Sequence, residues 1–228
     1  MKNAYLFFFL LFFSFPVFGL ESFSTIEHLQ KHGEKIVSLQ GEFVQSLKEK
    51  GNSIRSFSGY FLFQRPNKVR ICYSRPHEQL VVTDGKTIWY HRSRGKKTKQ
   101  VAWNKVSSSE RPMIDLGFNL EDIFLRTDFQ SKKVDNDCIL YKDGISLVVD
   151  TQKWVVKHLK INHEGKLLAE KEYLNFRRLE DDIWLPTEKI ERISSPSGII
   201  ETKTTFKKLV VNPELKSSDF KFQTSKKR

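Results

Sequence analysis

The sequence predicts a mainly β (α+β) chain, a single curved antiparallel sheet covered by helices, and three observations carry that prediction. β-Branched residues dominate: 15 Val, 15 Ile and 11 Thr stand against three Ala in 228 residues, a bias that disfavours long helices and favours strands. Turn signals recur through most of the chain at the spacing of an antiparallel meander. Helical periodicity is confined to two places, one before the first strand and one between residues 107 and 129.

The first segment is an address. Met1-Lys2-Asn3 precedes an uncharged run from Ala4 to Phe18, and Pro16-Val17-Phe18-Gly19 fits a cut after Gly19, the layout of a cleaved secretory signal. An uncleaved anchor needs about 20 apolar residues to cross a bilayer, and this run is shorter and contains Pro16. Residues 1–19 are therefore read as signal peptide and 20–228 as one domain. Seven of the 19 Phe fall within the signal, so much of the aromatic richness is discarded with it. The net charge of +12 drops only by Lys2. An exported chain of that charge meets anionic headgroups or acidic protein surfaces, not nucleic acid.

The elements follow in order. Ser24-Thr25-Ile26-Glu27 is a capping box, and Ile26, Leu29, Gly33 and Ile36 recur at helical spacing, predicting a helix over about residues 25–38 with His28 and His32 on its solvated face. From Gly41 the period becomes two, with Phe43, Gln45 and Leu47 on one side. A strand over about residues 53–65 puts Phe57, Gly59, Phe61, Phe63 and Arg65 on one face. After the Pro66-Asn67 turn, Val69, Ile71 and Tyr73 share a face of the next strand. Asp84-Gly85 then predicts a hairpin with a two-residue turn that pairs Val82 with Thr87 and Leu80 with Trp89. Its Leu80, Val82, Thr87 and Trp89 face is assigned to the interior, although an ordinary core explains that pattern equally well. Met113, Ile114, Leu116, Leu120, Ile123, Phe124 and Leu125 read as one or two short inserted helices. Turns at Asp143-Gly144, Asp150-Thr151-Gln152, Glu164-Gly165, Glu180-Asp181-Asp182 and Pro196-Ser197-Gly198 complete the meander.

Catalytic chemistry is not legible. The sequence has no glycine-rich phosphate loop, no Gly-x-Ser-x-Gly elbow and no cysteine pair at metal-ligand spacing. His28 and His32 lack a third ligand, His158 and His163 read as surface residues, and Asp181-Asp182 reads as a turn. No metal, cofactor or catalytic residue is assigned, and the chain is read as a non-enzyme, with an exported hydrolase as the distant alternative. Cys72 and Cys138 either pair in an oxidising compartment or stay as thiols. The unusual residue is Arg65, a charge that ends an apolar face. Inside a closed sheet its five donors need acceptors, which the unpaired carbonyls of a helix end supply. At a surface it simply extends its head into water.

Phe43-Val44-Gln45, the run Phe63-Gln64-Arg65-Pro66-Asn67-Lys68-Val69-Arg70, the block from Arg75-Pro76 through Asp84-Gly85-Lys86-Thr87 to Trp89-Tyr90, and Lys99-Gln100-Val101 resemble the periplasmic lipoprotein carriers of diderm bacteria, the LolA family. The resemblance is specific over about residues 37–103. Beyond that, Ile183-Trp184-Leu185-Pro186-Thr187 looks like the wider superfamily, and Asp219-Phe220-Lys221-Phe222 resembles the family's last strand. The resemblance implies a half-open antiparallel β-barrel closed by a helical lid over an apolar cavity for acyl chains. It implies that Arg65 bonds the lid, and that Phe61, Phe63, Val69, Ile71 and Tyr73 face the cavity, to which the hairpin face adds Leu80, Val82 and Trp89. Ile26, Leu29, Ile36, Met113, Ile114, Leu116 and Phe124 are then lid positions. The implied partners are acylated lipoproteins as cargo, an ATP-driven release complex of the inner membrane and an outer-membrane acceptor, with the carrier itself a monomer. A lipid or lipoprotein sensor of the same fold is the second reading. The basic loop with Arg92, Arg94, Lys96, Lys97 and Lys99 is longer than the family's usual connection, and is either solvated or a docking surface for an acidic partner or membrane.

Overall fold

The computed structural model describes residues 18–49, 54–94, 97–106, 115–117 and 128–223. A single α-helix among them, α1 (Phe18–Glu34), precedes β1 (Ser38–Lys48), β2 (Ile54–Gln64), β3 (Lys68–Arg75), β4 (Gln79–Asp84), β5 (Thr87–Arg92) and β6 (Lys97–Ala102). After the segment containing residues 115–117 come β7 (Gln130–Val134), β8 (Asp137–Lys142), β9 (Ile145–Asp150), β10 (Val155–His163), β11 (Lys166–Arg178), β12 (Trp184–Ser195) and β13 (Gly198–Val211).

All thirteen strands form one antiparallel sheet in the order β6-β5-β4-β3-β2-β1-β13-β12-β11-β10-β9-β8-β7. Every neighbour is also a sequence neighbour except β1 and β13, whose pairing joins two meanders. The sheet is not closed: β6 and β7 remain its edges. It is a half-open barrel with α1 over one face, and that inner face carries both apolar clusters. One gathers Ile36, Leu39, Phe43, Phe61, Phe63, Val69, Leu116, Leu185 and Phe206. The other sets Ile26 and Leu29 of α1 against Cys138, Leu140, Leu147, Val149, Val156, Leu159 and Tyr173.

The structure corrects the expectations in four places. The helix begins at Phe18, upstream of the capping box, and ends at Glu34, so Ile36 lies in the connection to β1. His32 is buried, not solvated, because the face it occupies packs toward the sheet. The β4–β5 register pairs Val82 with Trp89 and Leu80 with His91, two residues away from the expected register. Asp84 side-chain acceptance from the amides of Lys86 and Thr87 widens the turn beyond two residues. Residues 217–220 form a 3-10 turn with Phe220 fully buried, not a final strand. The expected helices at Met113, Ile114 and Phe124 lie outside the described residues, as does Lys96. Cys72 and Cys138 are not joined in a disulfide, and Cys138 Sγ accepts from the Thr25 hydroxyl.

Candidate functional site

Alternation in β2 builds the wall of the site. Phe61 faces Gly41 of β1 and Ile71 of β3, and Phe63 faces Leu39 and Val69. One step further along, Gly59 lies between Phe43 and Tyr73. Side chains directly opposite across antiparallel strands share a face, so Phe43, Phe61, Phe63, Val69, Ile71 and Tyr73 form one continuous inner surface. Its rings meet edge to face: Phe43 and Tyr73 at 5.3 Å between centroids, Phe61 and Phe206 at 6.0 Å. The two glycines make room for those rings. A Cβ at Gly41 would stand 2.8 Å from Leu209 and 3.0 Å from Phe61.

Arg65 follows directly on β2. Its Nε donates to the Ile36 carbonyl at 2.9 Å and its Nη2 to the Gly33 carbonyl at 3.0 Å, while its backbone N–H donates to the Val37 carbonyl at 2.9 Å. One side chain therefore satisfies carbonyls at and just beyond the C-terminal end of α1, where the helix presents unpaired acceptors and partial negative charge. Asn212, immediately after β13, supports the same junction. Its Oδ1 accepts from the Val37 N–H at 2.8 Å, and its Nδ2 donates to the Lys35 carbonyl at 2.9 Å. Nothing in the sequence beyond an Asn-Pro turn signal pointed to Asn212.

The cavity beside this wall is lined by Phe43, Phe61, Ile71, Tyr73 and Phe206 on one side and by Gln45, Thr204, Asp115 and Lys189 on the other. Its interior measures about 90 Å³. The polar side is a buried ionic cluster that sequence reasoning missed. Asp115 accepts from Lys171 Nζ at 2.6 Å and from the Tyr173 hydroxyl at 2.6 Å, and lies 3.8 Å from Lys189 Nζ. Glu191 lies 3.4 Å from both lysines. Burial pushes the Asp115 carboxyl up, but Lys189, Lys171 and the two side-chain hydrogen bonds outweigh it and hold the group far below the usual carboxylate range. The Lys171 ammonium, weakened by burial, is held above its ordinary value by Asp115 and Glu191. The signal was absent because Asp115 lies 56 residues or more in sequence from the lysines and tyrosine it meets, on strands whose register no local pattern fixes.

The other predicted positions divide. Ile26 and Leu29 bury against β7–β11, whereas Ile36 and Leu116 join the aromatic cluster. Leu80, Val82 and Trp89 are on the opposite face. Arg70 faces Val82 across β3–β4, and Arg70 donates to the Asp219 carbonyl at 2.9 Å, while Trp89 stacks on Phe222 at 6.2 Å. The C-terminal segment covers that outer face, which explains its apolar pattern without a cavity. The inner side of the hairpin is Val81, Thr83, Ile88 and Tyr90. Arg92, Lys97 and Lys99 continue it by register and are exposed, and exposed Arg94 lies 3.3 Å from His77 Nε2. Among the described residues no group of three or more His, Cys, Asp or Glu is placed to hold a metal, and no helix is long and apolar enough to cross a membrane.

Comparison with known proteins follows the same geometry. The profile of the family described as outer membrane lipoprotein carrier protein LolA matches residues 34–157, just over half of the chain. The outer-membrane lipoprotein carrier protein of Nitrosomonas europaea is 38% identical over 69 residues, 30% of this chain and 34% of that protein. Its counterpart in Methylibium petroleiphilum is 29% identical over 161 residues, 65% of this chain and 73% of the relative. The chain thus spans about a third of the length of the first relative and nearly three quarters of the second. Among solved structures, a LolA superfamily protein from Nitrosomonas europaea superposes with a TM-score of 0.62 at 12% identity, over 86% of this chain and 97% of that one. A protein described as an outer membrane lipoprotein-sorting protein domain from Vibrio parahaemolyticus gives 0.60 at 12% identity, over 87% and 97%. At these identities the structural likeness is one of fold.

Proposed function

The chain belongs to the LolA family of outer membrane lipoprotein carrier proteins, and from that premise we propose that it is a periplasmic chaperone that shields the acyl chains of lipoproteins on their way from the inner to the outer membrane. The observation that carries this reading is the aromatic inner wall beside a covering helix whose end is fastened by Arg65. Removal of the signal after Gly19 would take only the first two residues of α1 and leave Thr25, Ile26, Leu29 and His32, its buried side chains among the described residues, in place.

The energetics set what such a site must do. Burying a methylene is worth about 0.8 kcal/mol, so an open apolar groove would hold a lipid too firmly for a carrier without its own energy source. A cavity of about 90 Å³ is well below the roughly 300–1,000 Å³ of ordinary ligand pockets, too small for an acyl chain unless the covering helix moves. Cargo binds an open state that Arg65 and Asn212 keep rare, and that reduced population lowers the apparent affinity. An ATP-driven inner-membrane complex would load it and an outer-membrane acceptor would unload it. Exposed Arg92, Arg94, Lys97 and Lys99 at the β6 edge are the surface proposed to meet an acidic partner or membrane.

Binding of a synthetic diacylated lipopeptide to the mature protein, against the same peptide without acyl chains, tests the carrier reading. The acylated form should bind and the bare peptide should not; absence of acyl-dependent binding sinks the proposal. Arg65→Leu should keep the folded circular dichroism spectrum while changing cargo handover in a reconstituted transfer assay. Unchanged handover would remove the latch role from Arg65.

A further inference from the structure

The ionic floor of the cavity has a charge balance that the carrier reading does not use. Around Asp115 the strands supply two ammonium groups, Lys171 and Lys189, and one carboxylate, Glu191. Asp115 supplies the second carboxylate, and it comes from the connection between β6 and β7, not from a strand. Without Asp115 this cluster therefore carries one uncompensated positive charge, in a place where Lys189 keeps 11% and Lys171 22% of side-chain exposure. A buried charge that loses its partner is strongly destabilising. Any open state in which Asp115 leaves must put another anion, or water, on these lysines.

Resting on the reading that the cavity takes acyl chains, we propose that Lys171, Lys189 and the Tyr173 hydroxyl form an anionic head-group subsite, so that the cavity also accepts single-chain amphiphiles whose carboxylate or phosphate takes the place of Asp115. The geometry suits that class of ligand. The Tyr173 hydroxyl and Lys171 Nζ both lie 2.6 Å from the carboxylate oxygens they serve, and both donate. Lys189 lines the same cavity as Phe43, Phe61 and Phe206, so a head on the lysines points a tail along the aromatic wall. Gln45, bonded to Thr204 at 3.1 Å, offers further polar groups beside the head. A neutral acyl ester offers the wall the same tail but leaves the positive charge unmatched. Asp115 is then an internal competitor, and ligand and Asp115 bind in exchange.

Fluorescence titration of the mature protein with cis-parinaric acid and with its methyl ester tests this, since the two differ only in the charge of the head. The acid should bind at least tenfold more tightly than the ester. Lys189→Met should bring the acid down to the affinity of the ester while leaving the ester unchanged. Asp115→Asn, which removes the competing charge, should raise affinity for the acid alone. Displacement of the bound acid by oleate but not by oleoyl lysophosphatidic acid assigns the subsite to carboxylates, and the reverse assigns it to phosphates. Equal binding of acid and ester, or a preference that survives both Lys189→Met and Lys171→Met in folded protein, overturns the proposal. If neither probe binds while the diacylated lipopeptide does, the anionic subsite is wrong and the carrier reading stands; if none of the three binds, both fail.

Discussion

A Cβ at Gly59 would stand 2.0 Å from the carbonyl oxygen of Cys72 and 3.0 Å from the Phe43 ring. The first contact is with backbone, which cannot rotate away. At Gly41 the nearest atoms are the ends of Leu209 and Phe61 side chains, at 2.8 and 3.0 Å, and these can shift. Gly59→Ala should therefore cost about 2–3 kcal/mol, at the upper end of overpacking losses, and more than Gly41→Ala. Urea denaturation of the two variants decides it, and an equal or smaller loss at Gly59 refutes the steric argument. At this scale the sequence was readable where alternation alone sets the outcome: Phe61, Phe63, Val69, Ile71 and Tyr73 share a face as their parity requires. It was not readable for Leu80, Val82 and Trp89. Parity separates two faces but does not say which is covered by α1 and which by the C-terminal segment, and here both are apolar.

Among elements, α1 carries a buried histidine through which pH should act on its docking. His32 is buried near its C-terminal end, and its Nε2 has no hydrogen-bond partner among the described residues. Burial, and then Lys35, lowers its pKa, opposed by the more favourable charge of Asp182. The docked helix thus prefers the neutral ring. An undocked His32 titrates near 6.5, so docking is at full strength above that pH. As pH falls through 6.5 toward the lower docked value, the undocked state takes up a proton that the docked state refuses, and docking weakens. The melting temperature of the native chain should therefore fall more between pH 7.5 and 5.5 than that of His32→Leu, whose site cannot titrate. Parallel losses in the two proteins would exclude His32 as the cause. Helical spacing located this element, but the expected solvated face failed at His32 because periodicity from Ile26 to Ile36 did not fix how far the helix rolls onto the sheet.

Across the whole molecule, the pairing of β1 with β13 places the aromatic wall and the α1-covered half on one sheet, and the Asp115 cluster lies where the two apolar clusters meet. Leu116 packs in the first cluster, whereas Tyr173, which bonds Asp115, packs in the second. Turn signals made the meander legible; this junction was hidden because its residues come from three distant segments. Its two ends have opposite pH signs. Asp115 is depressed, so its contribution is complete above the unfolded value of about 3.9 and is lost as pH falls further. Lys171 is raised, so its contribution is complete below about 10.4 and is lost as pH rises through the folded value. Stability should form a plateau between about pH 5 and 10 as far as this cluster governs it. Lys189 and Glu191 keep the remaining charges close, so Asp115→Asn leaves an unmatched ammonium and should cost about 3 kcal/mol at pH 7, in the range for breaking a buried pair. The same variant should lose less than the native chain between pH 5 and 3, since position 115 has no carboxyl left to protonate. Guanidinium denaturation at pH 3, 5, 7 and 9 measures both effects, and a variant that follows the native acid limb without offset would show that Asp115 does not join the two halves.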